Sequence, residues 1–147
     1  MHGYSLLYLG LAAFAGIMMA VQGTINSALG DRVGPGETNF IVHMTAVIIL
    51  LIILLFTAGK VNYSLLKGVP WYLYLGGLIG VMITYGVILS IPKLGVAVAT
   101  TAIITGQVLT AALIDHFGFF GLEEVPFTWT KLGGIFFLAA GVRLLLN

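Results

Sequence analysis

The sequence predicts an all-α integral membrane protein of five transmembrane helices, and three observations carry that prediction. Of its 147 residues, 60% are hydrophobic and 7% charged, where a soluble domain carries about 25% charged residues. Mean hydropathy is +1.13. The apolar residues fall in continuous runs of about 20, long enough to cross a roughly 30 Å hydrocarbon core at about 1.5 Å per helical residue. Strands of a membrane barrel would alternate at period two instead.

The spans are expected at 4–29, 38–58, 71–90, 94–115 and 131–146, forming one domain over 1–147. The first opens at "MHGYSLLYLG", where no Lys or Arg precedes the apolar run, so it reads as a retained span and not a secretory signal. Gly16, Ala20, Gly23, Ser27 and Gly30 recur along it at spacings of four, three, four and three, making one stripe of small residues. The second span, with "AVIILLIILLF" and no glycine between Gly36 and Gly59, has no such seam and is expected to face lipid. In the third, Gly76, Gly80 and Thr84 repeat every four residues. The fifth carries Gly133, Gly134 and Gly141. Small residues let membrane helices approach closely, so these glycines are expected at helix or dimer contacts, although every compact bundle needs such seams. The connections "GDRVGPGE", "GKVNYSLLKGVP", "IPKLG" and "HFGFFGLEEVPFTWT" read as short loops. Trp71, Tyr72, Tyr74 and Trp129 stand where spans begin, as interfacial aromatics do.

Threading five spans puts Lys60, Lys67 and Lys131 on one side of the membrane and Arg32, Lys93 and Arg143 on the other. Orientation follows the side richer in Lys and Arg, and here the two sides balance. An odd number of spans without orientational bias suits insertion both ways, giving an antiparallel, dual-topology homodimer with the inverted-repeat architecture of many carriers. A single orientation imposed by a partner or by lipid is the competing reading.

The stretch "IPKLGVAVATTAIITGQVLTAALIDHFGFFG" followed by "KLGGIFFLAAGV" resembles the last two helices of small multidrug resistance transporters, within the drug/metabolite transporter superfamily. With "AVQGTIN" in the first helix, "GG" in the third and "GQ" followed by "DHFG" in the fourth, the whole chain is most similar to the five-helix, YdcZ-like branch, catalogued mainly as a domain of unknown function. The resemblance implies an alternating-access carrier of two inversely oriented units, either two copies or a chain with a paralogous partner. It also implies the plasma (inner) membrane of a bacterium or archaeon. One departure matters. The small multidrug exporters exchange protons for cations on a glutamate in helix one, whereas the first helix here offers only Gln22 and Asn26 at mid-span, so that chemistry does not carry over.

Gln22 and Asn26 lie four apart on one helical face with Met19, next to the glycine stripe. In the fourth span Thr100 and Gln107 share a face, with Gln107 about 20 Å along the helix. An unpartnered amide in hydrocarbon costs several kcal/mol, so these side chains either bond across helices or line a solute pathway. The expected pathway comprises Gln22, Asn26, Met19, Thr84, Tyr85, Thr100 and Gln107, in helices one, three and four. Asp115 and His43, near span ends, are expected to be interfacial, with proton coupling as the alternative. Arg143 is placed to snorkel to the surface, and Glu123 and Glu124 belong to a solvated loop.

No enzyme constellation is present. His2, His43 and His116 are scattered, no cysteine occurs, and there is no phosphate-binding glycine loop, so neither a metal nor another cofactor is expected. The expected partners are the bilayer, a small-molecule substrate and a second copy; the net charge of +1 gives no indication of nucleic acid. A small organic solute, neutral, zwitterionic or weakly charged, is the expected cargo. A membrane assembly subunit that moves nothing is the alternative, with a channel a third reading that lacks a filter signature.

Overall fold

The computed structural model describes residues 6–57 and 68–145, and all regular structure among them is helical. In chain order the helices are α1 (Leu6–Val33), α2 (Pro35–Thr57), α3 (Gly76–Leu94), α4 (Val96–Phe117) and α5 (Trp129–Leu145). Single 3-10 turns at Trp71–Leu75 and Phe119–Gly121 lead into α3 and follow α4. The chain forms two compact units, Met1–Pro92 and Lys93–Asn147.

Four helical segments are long and apolar enough to cross a membrane: Leu6–Val33, Pro35–Thr57, Trp71–Leu94 and Val96–Phe117. The fifth, with 17 residues, is about 26 Å long, short of the roughly 30 Å core.

The first unit is built on a tight helical hairpin. Where "GDRVGPGE" reads as an eight-residue loop, the helices run on through it and only Gly34 breaks them. Gly34 adopts φ +102, a conformation open to glycine, and its N–H bonds the Gly30 carbonyl at 3.0 Å to close α1. Its own carbonyl accepts from the Thr38 N–H at 3.1 Å and so opens α2. Pro35 takes the first helical position, where a missing N–H costs nothing. The same device recurs after α3, which continues through Pro92 to Leu94. There Gly95, at φ +81, breaks the helix, and its carbonyl accepts from Ala99 N–H at 3.1 Å.

α3 packs on this hairpin through the lower half of the α1 stripe. A methyl group at Gly23 would lie 3.0 Å from Val87 Cγ1, and one at Gly30 would lie 2.5 Å from Ile88 Cγ2. Around these contacts Asn26, Ser27, Thr38, Asn39, Ile88 and Ile91 are buried. Further up α1 the seam is unused, since Gly16 has nothing within 4 Å among the described residues. The helix expected to face lipid is exposed over most of its length, at residues 44–56. Its first turn, however, enters the core, because starting at Pro35 brings Thr38 and Asn39 inside the helix.

In the second unit α4 and α5 pack as an antiparallel pair, burying Ala112 and Ile135. Gly118, at φ 58, ends α4 with its N–H on the Ile114 carbonyl. The return strand is tied back by Val125 N–H to the Asp115 carbonyl at 2.8 Å and Phe127 N–H to His116 Nδ1 at 3.3 Å. Thr128 then caps α5, its Oγ1 accepting from Lys131 N–H at 3.3 Å.

The close approach at Gly30 generates a test. Ile88 is β-branched, stiff and 2% exposed, so Gly30→Ala should cost about 1–3 kcal/mol of unfolding free energy. Gly86→Ala, which meets nothing within 4 Å, should hold stability or gain up to about 1 kcal/mol from helix propensity. Denaturant unfolding of the purified protein in detergent checks both, and equal effects of the two substitutions would contradict the packing described.

Candidate functional site

Among the described residues, polar side chains on apolar helices mark grooves in both units, two of them in the first and one in the second.

The first runs along α1. Met18, Met19, Val21, Gln22, Ile25 and Asn26 line a shallow groove of about 400 Å³, so three expected pathway residues, Met19, Gln22 and Asn26, do share a surface. Their environments differ. Asn26 is buried in the core of the unit, whereas Gln22 is exposed. Methionine and aliphatic walls around one amide provide apolar contact with a single orienting group.

The second lies between α2 and α3. Gly36, Asn39, Phe40, His43, Met44, Val47, Val81 and Tyr85 enclose about 340 Å³. Asn39 Nδ2 donates across the helices to the Val81 carbonyl at 2.9 Å. His43 Nδ1 lies 2.9 Å from the Asn39 carbonyl, one turn earlier on its own helix. Thr38 Oγ1 and Asn39 Oδ1 are buried without a hydrogen-bond partner among the described residues. Of the residues expected in the pathway, Tyr85 lines this groove and not that of α1, while Thr84 is half-buried and donates to the Gly80 carbonyl at 3.0 Å. His43 is no longer a residue just inside the helix: counted from Pro35 it lies about 12 Å along α2.

The third groove belongs to the second unit. Val108, Ala111, Ala112, Asp115, Lys131, Gly134, Ile135 and Leu138 line about 360 Å³ between α4 and α5. Lys131 Nζ is buried without a hydrogen-bond partner among the described residues. Asp115 stands in the last turn of α4 and Lys131 in the first turn of α5. Each therefore has the charge that its helix dipole disfavours, and neither is there to stabilise its own helix. Thr100 is half-buried and Gln107 exposed on α4.

Of the expected contact glycines, Gly23 touches Val87 and Gly80 faces His43, with Nε2 3.7 Å from where a Cβ would stand. Gly16, Gly76, Gly133, Gly134 and Gly141 have open space around them among the described residues. Glu123, Glu124 and Arg143 are exposed. Lys60 and Lys67 lie outside the described residues. No group of three metal-ligating side chains occurs among the described residues.

Thr38, Asn39 and Lys131 are the polar residues that sequence reasoning passed over. Asn39 and His43 stand four apart, the same spacing that singled out Gln22 and Asn26. Reading 30–37 as loop placed Asn39 at a helix entrance, where it went unnoticed, and left His43 as a residue near a span end.

The family model described as "Putative inner membrane exporter, YdcZ" matches residues 7–144. No curated protein and no solved structure matches the chain. The chain belongs to the YdcZ family, a drug/metabolite-transporter-superfamily domain of unknown function, and is a membrane protein of the transporter type.

The Asn39 bond to α3 has a measurable worth. Asn39→Ala should lower the unfolding free energy in detergent by about 0.6–2 kcal/mol, the range for hydrogen bonds between membrane helices. An unchanged midpoint would mean that the bond carries none of the α2–α3 packing.

Proposed function

We propose that this member of the YdcZ family is one half of an alternating-access carrier, assembled from two inversely oriented copies, that exports a small organic solute across the bacterial or archaeal inner membrane. The observation that carries the reading is the exposed Gln22 on the α1 groove, beside Met18 and Met19. A bare amide facing lipid costs several kcal/mol; a second copy laid over α1 removes that cost and encloses the groove. Gln107, exposed on α4, makes the same demand.

Further support comes from three features. Lys and Arg balance three against three across the spans, so neither orientation is preferred. Gly16, Gly76, Gly133, Gly134 and Gly141 leave small-residue surface unused among the described residues, suited to a partner helix. With α5 crossing as a fifth span, slightly thinning the bilayer or tilting little, the odd count places the termini on opposite sides, as an inverted pair needs. A paralogous chain in the opposite orientation would serve as the second half equally well.

In this reading the midplane site is lined by Met19, Gln22 and Asn26 of α1, Thr84 and Tyr85 of α3, and Thr100 and Gln107 of α4. Neutral amides orient the solute by hydrogen bonds and the methionines supply apolar contact, which suits a neutral, zwitterionic or weakly charged molecule. The family's description as a putative inner membrane exporter supports export as the direction.

The test begins with a thermal-shift screen of the purified chain, because a solute that binds only the folded state raises apparent stability. For a solute so found, Gln22→Ala and Gln107→Ala should each lower flux into reconstituted vesicles about tenfold, the worth of roughly one hydrogen bond, while assembly is retained. Undiminished flux in both variants would remove the two amides from the pathway. A chain that assembles but is stabilised by no solute would favour an assembly subunit.

A further inference from the structure

The α4–α5 groove of the second unit is charged at one end and apolar along the rest. Asp115 stands in the last turn of α4 and Lys131 in the first turn of α5, so the antiparallel pair brings both to the same end. From there Val108 and Ala111 on α4, with Ile135 and Leu138 on α5, carry the groove onward. Val108 and Leu138 each lie about 10 Å along their helix from its charged residue. Gly134, where a Cβ would meet nothing within 4 Å among the described residues, leaves the α5 side open. Lys131 Nζ is buried without a hydrogen-bond partner among the described residues, so Asp115 shares the groove without bonding to it. We propose that this groove binds one phosphatidylethanolamine molecule of the bilayer, with the phosphate on Lys131, the ammonium on Asp115 and an acyl chain along the apolar walls.

The two charges select the headgroup. An ammonium has three donors and no acceptor, while a carboxylate only accepts, so Lys131 calls for an anion and Asp115 for an N–H donor. A buried ammonium without a partner is costly, and a phosphate oxygen offers it a charge-assisted bond. Basic pockets between membrane helices receive phosphorylated lipid heads in this way. A purely anionic head would serve Lys131 but bring like charge up to Asp115. A choline head carries the positive charge without an N–H for the carboxylate. Phosphoethanolamine holds both partners on one short head, with hydrocarbon attached. The depth agrees as well. Trp129, two residues before Lys131, is exposed, and Trp side chains gather at the headgroup level. That sets the charged end at the interface and the apolar walls in hydrocarbon. Glu123, Glu124 and Arg143 are exposed elsewhere in the unit and do not line the groove, so its charge selectivity rests on Lys131 and Asp115. This assignment goes beyond the carrier reading and does not depend on it.

The test is native mass spectrometry of the full purified chain in detergent, titrated with phosphatidylethanolamine, phosphatidylcholine and phosphatidylglycerol of identical acyl chains. One phosphatidylethanolamine per chain should bind about tenfold more tightly than either other lipid, the worth of roughly one hydrogen bond to a charged group. Asp115→Ala should abolish that preference and bring phosphatidylethanolamine to the level of phosphatidylcholine. Lys131→Gln should weaken both lipids about tenfold by removing the phosphate contact. Gly134→Leu, which fills the groove, should weaken all three. Residues with a merely structural role would not tell one headgroup from another. Should Lys131→Gln fail to fold, the ranking on the unaltered chain and its loss in Asp115→Ala still decide. Equal binding of the three lipids, tightest binding of phosphatidylglycerol, or a preference that survives Asp115→Ala would each overturn the proposal. So would a dimer that excludes the lipid, the mark of a second copy in the groove. Lipid binding is read without solute or flux, so its failure and a failure of the carrier reading are separately visible.

Discussion

Water is missing from the bilayer core, and every polar group placed there has to find its partner in protein. That constraint explains the economy of the breaks between helices. A loop of eight residues between α1 and α2 would expose several N–H and C=O groups, whereas Gly34 alone turns the chain while its own N–H and carbonyl stay bonded. Gly95 turns the chain between α3 and α4 with its carbonyl bonded to the Ala99 N–H. The hydroxyls obey the same rule, with Thr24, Thr45, Thr84, Thr101 and Thr105 each returning its proton to the carbonyl four residues earlier.

Against this background the polar groups that do not comply are informative, and they divide into two kinds. Gln22 and Gln107 are each exposed on their own unit, so their deficit is one that another molecule can meet. Thr38 Oγ1, Asn39 Oδ1 and Lys131 Nζ are buried within their own units without a hydrogen-bond partner among the described residues. The glycines of α1 divide as well: Gly23 and Gly30 are filled by α3, while Gly16 on the same stripe is left open.

The five helices were legible because apolar runs of about 20 residues in so hydrophobic a chain have few other uses. Their ends were less so. "GDRVGPGE" and "IPKLG" have loop composition, yet charged residues at a helix end reach the interface without leaving the helix, and one positive-φ glycine suffices to turn it. Misplacing the start of α2 by three residues had a cost out of proportion to its size, since it hid Thr38 and Asn39 and made His43 look superficial. The α1 stripe of Met19, Gln22 and Asn26 was readable from helical spacing alone. Tyr85's place beside Asn39 and His43 was not, because it depends on which helix α3 meets at each level, and spacing within one helix says nothing of that.

Whether two copies pair in opposite orientations decides most of what is claimed for function, and the cysteine-free chain makes it directly measurable. Arg32, at the end of α1, and Pro70, ahead of the third span, are both exposed and stand at opposite ends of the second span. Arg32→Cys and Pro70→Cys chains bearing different tags would be co-expressed and treated in membranes with a short bifunctional thiol reagent. The account predicts crosslinks between residue 32 of one copy and residue 70 of the other. Crosslinks of 32 only to 32 and 70 only to 70 would show parallel copies, and would contradict the inverted pair on which the carrier depends.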